Sequence, residues 1–287
     1  MDLSNFLQAS VDGLMLSMFY ISVALGLTLM FGILQVFNFA HGEVYMIGGF
    51  ITFYLFGQFH LNYFLTFIVS MLVGGILGII LEKLIFRPFR DRPFNGFIAS
   101  LGVIWILQTS VAVSSGVLDK DVPTVFPGVI RALGVSLSAE RLGAFIMAAI
   151  AVITVYLFIQ RTKTGKALRA VSQDMEAASL QGIDVNRMTA FAFALGSALA
   201  TGAGAIMSPI FLINPFIGAT PVAKSFMVII LGGMGSIPGT VLGGLILGLL
   251  ESFASIYLSI GAVEVMSFAI IIIILLARPQ GLLGRDE

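Results

Sequence analysis

Asn38, His41 and Glu43 form the densest polar group in an otherwise apolar part of this chain, and Gly42, Gly48 and Gly49 stand beside them. Placing an ionisable side chain inside a bilayer costs about 2.5–3.5 kcal/mol on insertion scales, so each such group asks for a reason. Two reasons fit the triad. It breaks a helix and lines a solute pathway, where freed backbone groups meet the solute. Alternatively it makes a helix-turn-helix in which Asn38 caps the second helix while His41 and Glu43 satisfy each other or the backbone. A second break, Gly232-Gly233-Met234-Gly235-Ser236-Ile237-Pro238-Gly239, allows the same pair of readings. Pro238 lacks an N–H and suits a helix first turn, so this is either a pathway element or a tight interhelical turn. Glu251 lies deep in an apolar run and either caps a bundle contact or lines a cavity. Lys224 and Glu264 fall at the ends of their runs, where snorkelling accounts for them.

Other chemistries find no residues. The chain has no cysteine and two histidines, His41 and His60, with no metal-ligand spacing and no nucleophile–base set. No catalytic and no metal residue is therefore assigned. A phosphate-cradling G-x-x-x-x-G-K-[ST] is missing as well: Gly165-Lys166 is followed by Ala167. With a net charge of zero, no global field draws nucleic acid.

The polar segment 161–187 has helical pattern rather than loop composition. Leu168, Val171, Met175 and Leu180 recur at spacings that suit a short amphipathic helix lying against something. A membrane protein driven by a separate motor must present a rigid handle, and this segment has the parts; the alternative is an ordinary basic amphipathic connector between two spans. Ala177 and Ala178 permit close approach, while Arg169, Asp174 and Glu176 set register. Gly182 can take positive φ and end the helix.

These residues need elements that hold them in lipid. The 287 residues are 58% hydrophobic and 10% charged, with a mean hydropathy of +1.05, whereas soluble domains are about 25% charged. Spans through lipid must satisfy their own backbone, and apolar runs without alternation mean helices. The expectation is an all-α polytopic bundle, one membrane domain over 1–287. Its candidate spans are 13–35, 43–59, 63–82, 96–114, 142–160, 188–212, 223–234, 238–258 and 263–277. The seventh is too short to cross alone at about 1.5 Å per residue and reads as a half-helix, so eight or nine membrane segments are expected. The first run has no Lys or Arg before it and is too long for a signal-peptide core, so it is read as an uncleaved span. Small residues recur every fourth position at Gly196, Ala200, Gly204 and Ser208, and again at Gly235, Gly239 and Gly243. They predict close helix packing, or a face for a partner or for sliding helices. Met and Phe are plentiful and are assigned to lipid contact and packing.

Most of the 15 basic residues lie in 83–95, 161–187 and the tail with Arg278 and Arg285. The positive-inside rule puts these segments in the cytoplasm and 115–141 outside. Spans four and five then form a hairpin. The outer loop, with Pro123 and Pro127, is a place for a short interfacial helix. Three full crossings before residue 83 put the N-terminus outside; a re-entrant 36–60 puts it inside.

Glu176-Ala177-Ala178-x-x-x-Gly182 resembles the "EAA" loop of ABC-importer permeases, although the usual Ile-x-Leu-Pro is missing and position 192 is alanine. Asn38-Phe39-Ala40-His41-Gly42-Glu43, Gly232 to Gly239 and Arg278-Pro279-Gln280-Gly281-Leu282 are similar, in the same order, to the permease family for branched-chain amino acids. The resemblance spans nearly the whole chain. It implies a permease in a bacterial inner membrane, paired with a second homologous permease, two cytoplasmic ATPase subunits and a periplasmic amino-acid-binding protein. ATP and Mg would be held by the ATPases and no cofactor by this chain. It further implies ATPase coupling through Gly165, Arg169, Asp174, Glu176, Ala177, Ala178, Gly182 and Ile183. The pathway candidates are Asn38, His41, Gly42, Glu43, Gly232, Gly233, Gly235, Pro238 and Glu251. Leucine, isoleucine and valine are the implied substrates, with another small amino acid or urea as the alternative. An ion-coupled secondary transporter would want a relay of paired charges at mid-membrane, and no cross-helix pair is obvious in the sequence.

Overall fold

The computed structural model describes residues 3–132, 134–278 and 280–284; Pro279 of the C-terminal motif and Arg285 of the tail lie outside them. The chain is a multi-pass all-α membrane protein. In order it forms α1 (Leu3–Leu34), α2 (His41–Thr52), α3 (Tyr63–Leu81), α4 (Pro93–Ser115), a hairpin of β1 (Val129–Ala132) and β2 (Val135–Ser138), and α5 (Ala139–Arg161). There follow α6 (Lys163–Gln173), α7 (Met175–Leu180), α8 (Val185–Met207), α9 (Ala219–Gly232), α10 (Ile237–Ala254) and α11 (Ile260–Ala277). A π-helical stretch, Phe53–Gln58, prolongs α2. Among the described residues, seven helices are long and apolar enough to cross a membrane: α1, α3 with its extension, α4, α5, α8, α10 and α11. α9 is the shorter apolar helix expected from 223–234.

The helix starts follow local chemistry. The Asn62 carboxamide oxygen accepts from Phe64 N–H and Leu65 N–H to open α3. The Ser236 hydroxyl accepts from Gly239 N–H to open α10, with proline in its first turn. Such caps matter more in lipid, where no water satisfies the free N–H groups.

α1 and α8 form the buried centre, and α4 and α11 are the most exposed spans. Between helices in lipid there is little hydrophobic gain, so close backbone approach does the work. Gly26 and Gly196 face each other so tightly that a Cβ on either would strike the other's carbonyl oxygen. Gly204 lies on the Tyr45 carbonyl, and Gly48 on the backbone of Thr201. The predicted stripe on α8 therefore meets α1 and α2 of its own chain. On the other stripe, Gly239 abuts Gly232 and Gly243 the Val228 carbonyl, which clamps α10 to α9. α10 also packs along α1, as α3 does along α8.

Three expectations are corrected. α4 and α5 do not pack as a hairpin: α5 lies on α1, α6 and α8, while α4 touches α2 and the turns after α3. The long connection 116–138 allows that separation. Among its described residues this connection carries no interfacial helix but a β-hairpin, with Val129 opposite Ser138 and Ile130 opposite Leu137. It is anchored by the Glu140 carboxylate, which accepts from Val125 N–H and Phe126 N–H at 3.0 and 2.8 Å. Segment 161–187 is two helices rather than one. Asp174 is extended (φ −159°, ψ 111°) and breaks the run, and its carboxylate caps α7 through Glu176 N–H and Ala177 N–H.

The structure also chooses between the two N-terminal topologies. Gln8 on α1 exchanges hydrogen bonds with the backbone of Ser136 in the hairpin, so the start of α1 shares a side with 115–141. Val36 lies against Gly96 at the opposite face. The π extension of α2 returns to the hairpin side, where Tyr54 donates to the Ser115 hydroxyl at 2.8 Å. Segment 35–58 thus completes a crossing and is not re-entrant.

Candidate functional site

α2 and α9 both begin inside the bundle, and their starts touch. A Cβ on Gly42 would meet the Gly218 carbonyl, and one on Gly218 would meet the Gly42 carbonyl. From this contact α2 runs to the hairpin side. α9 runs the other way, to a turn where Gly235 lies on Gly32 near the end of α1. Two short helices thus diverge from one point, with their N–H-rich ends together.

The triad stands at the start of α2. His41 is 0% exposed, and its Nε2 hydrogen-bonds the Val23 carbonyl at 3.1 Å. The Glu43 carboxylate accepts from Gln108 Nε2 at 2.9 Å. Asn38 Nδ2 reaches only the sulfur of Met30, at 3.5 Å. Among the described residues, Asn38 Oδ1, His41 Nδ1 and Glu43 Oε2 are buried without a hydrogen-bond partner. Part of the structural expectation fails here. His41 and Glu43 do not satisfy each other, and Asn38 does not cap α2, whose N-cap position is Ala40 with no side-chain cap. Gln108 was missed. A lone amide midway along apolar α4 was the available signal.

Gly232, Gly233, Gly235 and Pro238 build the turn between α9 and α10. Gly233 and Gly235 have φ of +107° and +78°, in the left-handed region that favours glycine. The tail locks this turn: Leu282 N–H and Leu283 N–H donate to the carbonyls of Leu231 and Gly232, both at 2.9 Å. None of these residues, nor the triad, lines the cavity described next.

That cavity has a volume of about 680 Å³ and lies between α1, α5 and α8–α11, on the hairpin side. Its wall is mostly apolar, with Phe19, Phe145, Met207 and Ile210 prominent, and its rim carries Asp12, Arg141 and Glu264. Lys224 and Glu251 line it as a buried ion pair, each 6% exposed. Glu251 Oε1 accepts from Lys224 Nζ and from the Ser267 hydroxyl, and Oε2 accepts from the Tyr20 hydroxyl at 2.6 Å. One carboxylate therefore joins α1, α9, α10 and α11. Two expectations are overturned. Lys224 does not snorkel: α9 begins inside the bundle against Gly42, and Lys224, in its second turn, is buried on Glu251. A cross-helix charge pair does exist, although it is a single pair and not a relay.

Segment 161–187 divides into an inward and an outward set. Leu168 and Val171 of α6 are buried. A Cβ on Gly165 would strike the backbone of Ile159, so α6 folds tightly back on the end of α5. Arg169 donates to Gln160 Oε1 at 2.9 Å. Ala178 faces inward, whereas Asp174, Glu176, Ala177 and Gly182 are exposed and Ile183 is half-buried. Leu180, expected on the packed face, points outward at 84% exposure, because the break at Asp174 turns α7 relative to α6. Gly182 has φ +79° and closes α7 as expected. A neighbouring anchor was missed. The Glu82 carboxylate, fully buried, accepts from Arg87 at 3.0 and 2.6 Å and from the Thr189 hydroxyl at 2.9 Å. It fixes the start of α8 to the end of α3. Its place at the edge of a predicted span hid it.

Comparison with known proteins gives the chain's family. The profile of the family described as "Branched-chain amino acid transport system / permease component" matches residues 10–276. The chain is 35% identical to the high-affinity branched-chain amino acid transport system permease protein LivH of Escherichia coli K12, over 98% of this chain and 96% of that protein. The LivH protein of Salmonella typhimurium gives the same identity and coverage. The corresponding permease protein BraD of Pseudomonas aeruginosa is 34% identical over 100% of this chain and 98% of its own length. No solved structure matches the chain.

Proposed function

Because the chain belongs to the branched-chain amino acid transport permease family, a family of ABC-importer permeases, we infer that it is the membrane subunit through which an ATP-driven importer moves leucine, isoleucine and valine. The observation that carries the mechanism is α7. It is a capped, exposed single turn and a half that presents Glu176, Ala177 and Leu180 outward while Ala178 seats it on its own bundle. Leu180 supplies an apolar knob and Asp174 and Glu176 a charged rim, which is what a cleft on a separate protein can grip.

In this reading 83–95, 161–187 and the C-terminus face the cytoplasm of a bacterial inner membrane, and the hairpin and cavity face the periplasm. The positive-inside distribution of Lys and Arg supports that orientation. Two cytoplasmic ATPases hold ATP and Mg, a second homologous permease completes the pair, and a periplasmic binding protein delivers the amino acid. This subunit has no ATPase site of its own and binds no cofactor. Closure of the ATPases moves α7. Tight folding of α6 on α5 at Gly165 and the Glu82–Arg87–Thr189 anchor carry that movement into α5 and α8 as rigid bodies. α8 packs on α2 and α1 packs on α9, so the two half-helices meeting at Gly42 and Gly218 are the elements whose relative position sets which side is open. Asn38, His41, Gly42 and Glu43, at the head of α2, then border the passage. Gly232, Gly233, Gly235 and Pro238 act as the hinge at the other end of α9.

Co-purification from native membranes tests the assignment. Recovery of two ATPase subunits and a second permease with this chain is expected. Isolation of the chain alone, under conditions that preserve other membrane complexes, would contradict it.

A further inference from the structure

We propose that the Lys224–Glu251 pair is a station in the translocation pathway that holds the charged end of a zwitterionic amino acid, with the solute's side chain against the apolar wall of the same cavity. The proposal rests on the reading of this chain as an amino-acid permease and adds to it a site, a ligand geometry and a basis for selectivity within the membrane.

A buried ion pair is a poor way to gain stability, since apolar residues of similar volume do as well or better. Inside a membrane it is expensive, and such groups mark solute routes. This one lines a cavity of about 680 Å³, within the range of roughly 300–1,000 Å³ usual for small-molecule sites. Its two halves are differently equipped. Glu251 is held from three sides by Tyr20, Lys224 and Ser267. Lys224 has three N–H donors, and Glu251 is its one hydrogen-bond partner among the described residues. Tyr20 and Ser267 therefore keep the carboxylate in place when the ammonium turns towards a ligand.

Charge balance sets what that ligand is. The pair is neutral in sum, and so is an α-amino acid zwitterion. If the solute's carboxylate meets Lys224 and its ammonium meets Glu251, one ion pair becomes two, and no charge is left uncompensated in a low-dielectric wall. A solute with only one of the two charges leaves one member of the pair unmatched, which is rejection by an unpaired buried charge. Phe19, Phe145, Met207 and Ile210 offer dispersion contacts to a branched aliphatic chain but no donor or acceptor to a polar one. Asp12 and Arg141, 3.6 Å apart at the rim, repeat the same pairing of signs at the mouth.

The absence of cysteine from the sequence makes the test direct. Thr220 lines the cavity and is exposed, so Thr220→Cys gives this chain a single thiol, and its labelling by a methanethiosulfonate reagent in the complete transporter, read on this chain after the subunits are separated, reports occupancy. Three solutes are compared: leucine, 4-methylpentanoate, which lacks the ammonium, and 3-methylbutylamine, which lacks the carboxylate. At about twice its dissociation constant, leucine should slow labelling about threefold, and neither analogue should do so at equal concentration. Lys224→Met in the same background should abolish the protection, and Lys224→Arg should retain part of it. Equal protection by all three solutes would show apolar filling alone and overturn the proposal, as would no protection by leucine. Should Lys224→Met fail to assemble, the comparison of solutes on the lysine-bearing protein decides by itself. A complex that accumulates leucine while its labelling ignores leucine refutes the station and leaves the transport assignment standing; a complex that does not take up leucine at all refutes the assignment.

Discussion

Replacing Lys224 with methionine removes one half of an ion pair that is all but sealed from solvent, each member being 6% exposed. Glu251 would keep the hydroxyls of Tyr20 and Ser267 but lose its counter-charge. Breaking a buried pair from one side costs about 3–5 kcal/mol, because the remaining charge stays buried, whereas replacing both members by apolar residues is often close to neutral. The four helices that meet at Glu251 make the local structure unable to relax by moving one of them. Lys224→Met and Glu251→Met should therefore each destabilise the solubilised protein by about 3–5 kcal/mol. The double variant should be more stable than either single one, which requires a coupling energy larger than one single loss, at least about 3–5 kcal/mol and so above the roughly 0.5–3 kcal/mol usual between contacting residues. The assay is reversible unfolding of the three variants and the parent in detergent, with the amino acid absent. Additive losses would refute the reasoning, since they would mean that the two charges do not compensate each other in the folded bundle.

Two further outcomes follow from the other end of the molecule and from its middle. Gly182→Val places a β-branched residue at φ +79°, a conformation that costs about 1–2 kcal/mol for an L side chain; uptake should fall while ATP hydrolysis by the complex continues, and unchanged coupling would count against the role of α7. His41→Ala and Glu43→Ala should reduce uptake while leaving assembly with the partners intact, and normal uptake at normal expression would retire the placement of this triad beside the passage.

What the sequence could and could not disclose has physical causes. Span positions were legible because lipid demands long apolar helices, and α3, α4 and α5 each lie close to an apolar run. The half-helix α9 was legible from its length alone. The glycine stripe on α8 announced close packing, yet which helices it meets is a matter of tertiary arrangement, and α1 and α2 could not be read from it. Lys224 was misread because its distance from the membrane surface depends on where α9 begins, and that start, at Gly218 against Gly42, has no composition signal. The break at Asp174 was legible in principle, since aspartate followed by a short helical run is a capping pattern; the spacing of Leu168, Val171, Met175 and Leu180 suggested one continuous face instead, and Leu180 was assigned inward on that basis. The hairpin at 129–138 was hidden because each strand is four residues long, too short for alternation to stand out. Gln108 took its meaning from Glu43, distant in sequence, and Glu82 from Thr189, distant in sequence, as well as from nearby Arg87.

The central claim is that this bundle carries no motor and is driven through α7. It is tested most directly by solute accumulation in proteoliposomes, with the full complex in one set and this chain alone in the other. Leucine accumulation against its gradient is expected only in the full complex, only with ATP, and reduced in Gly182→Val. Uphill leucine movement by the isolated chain on a proton or sodium gradient, without nucleotide or companions, would contradict it.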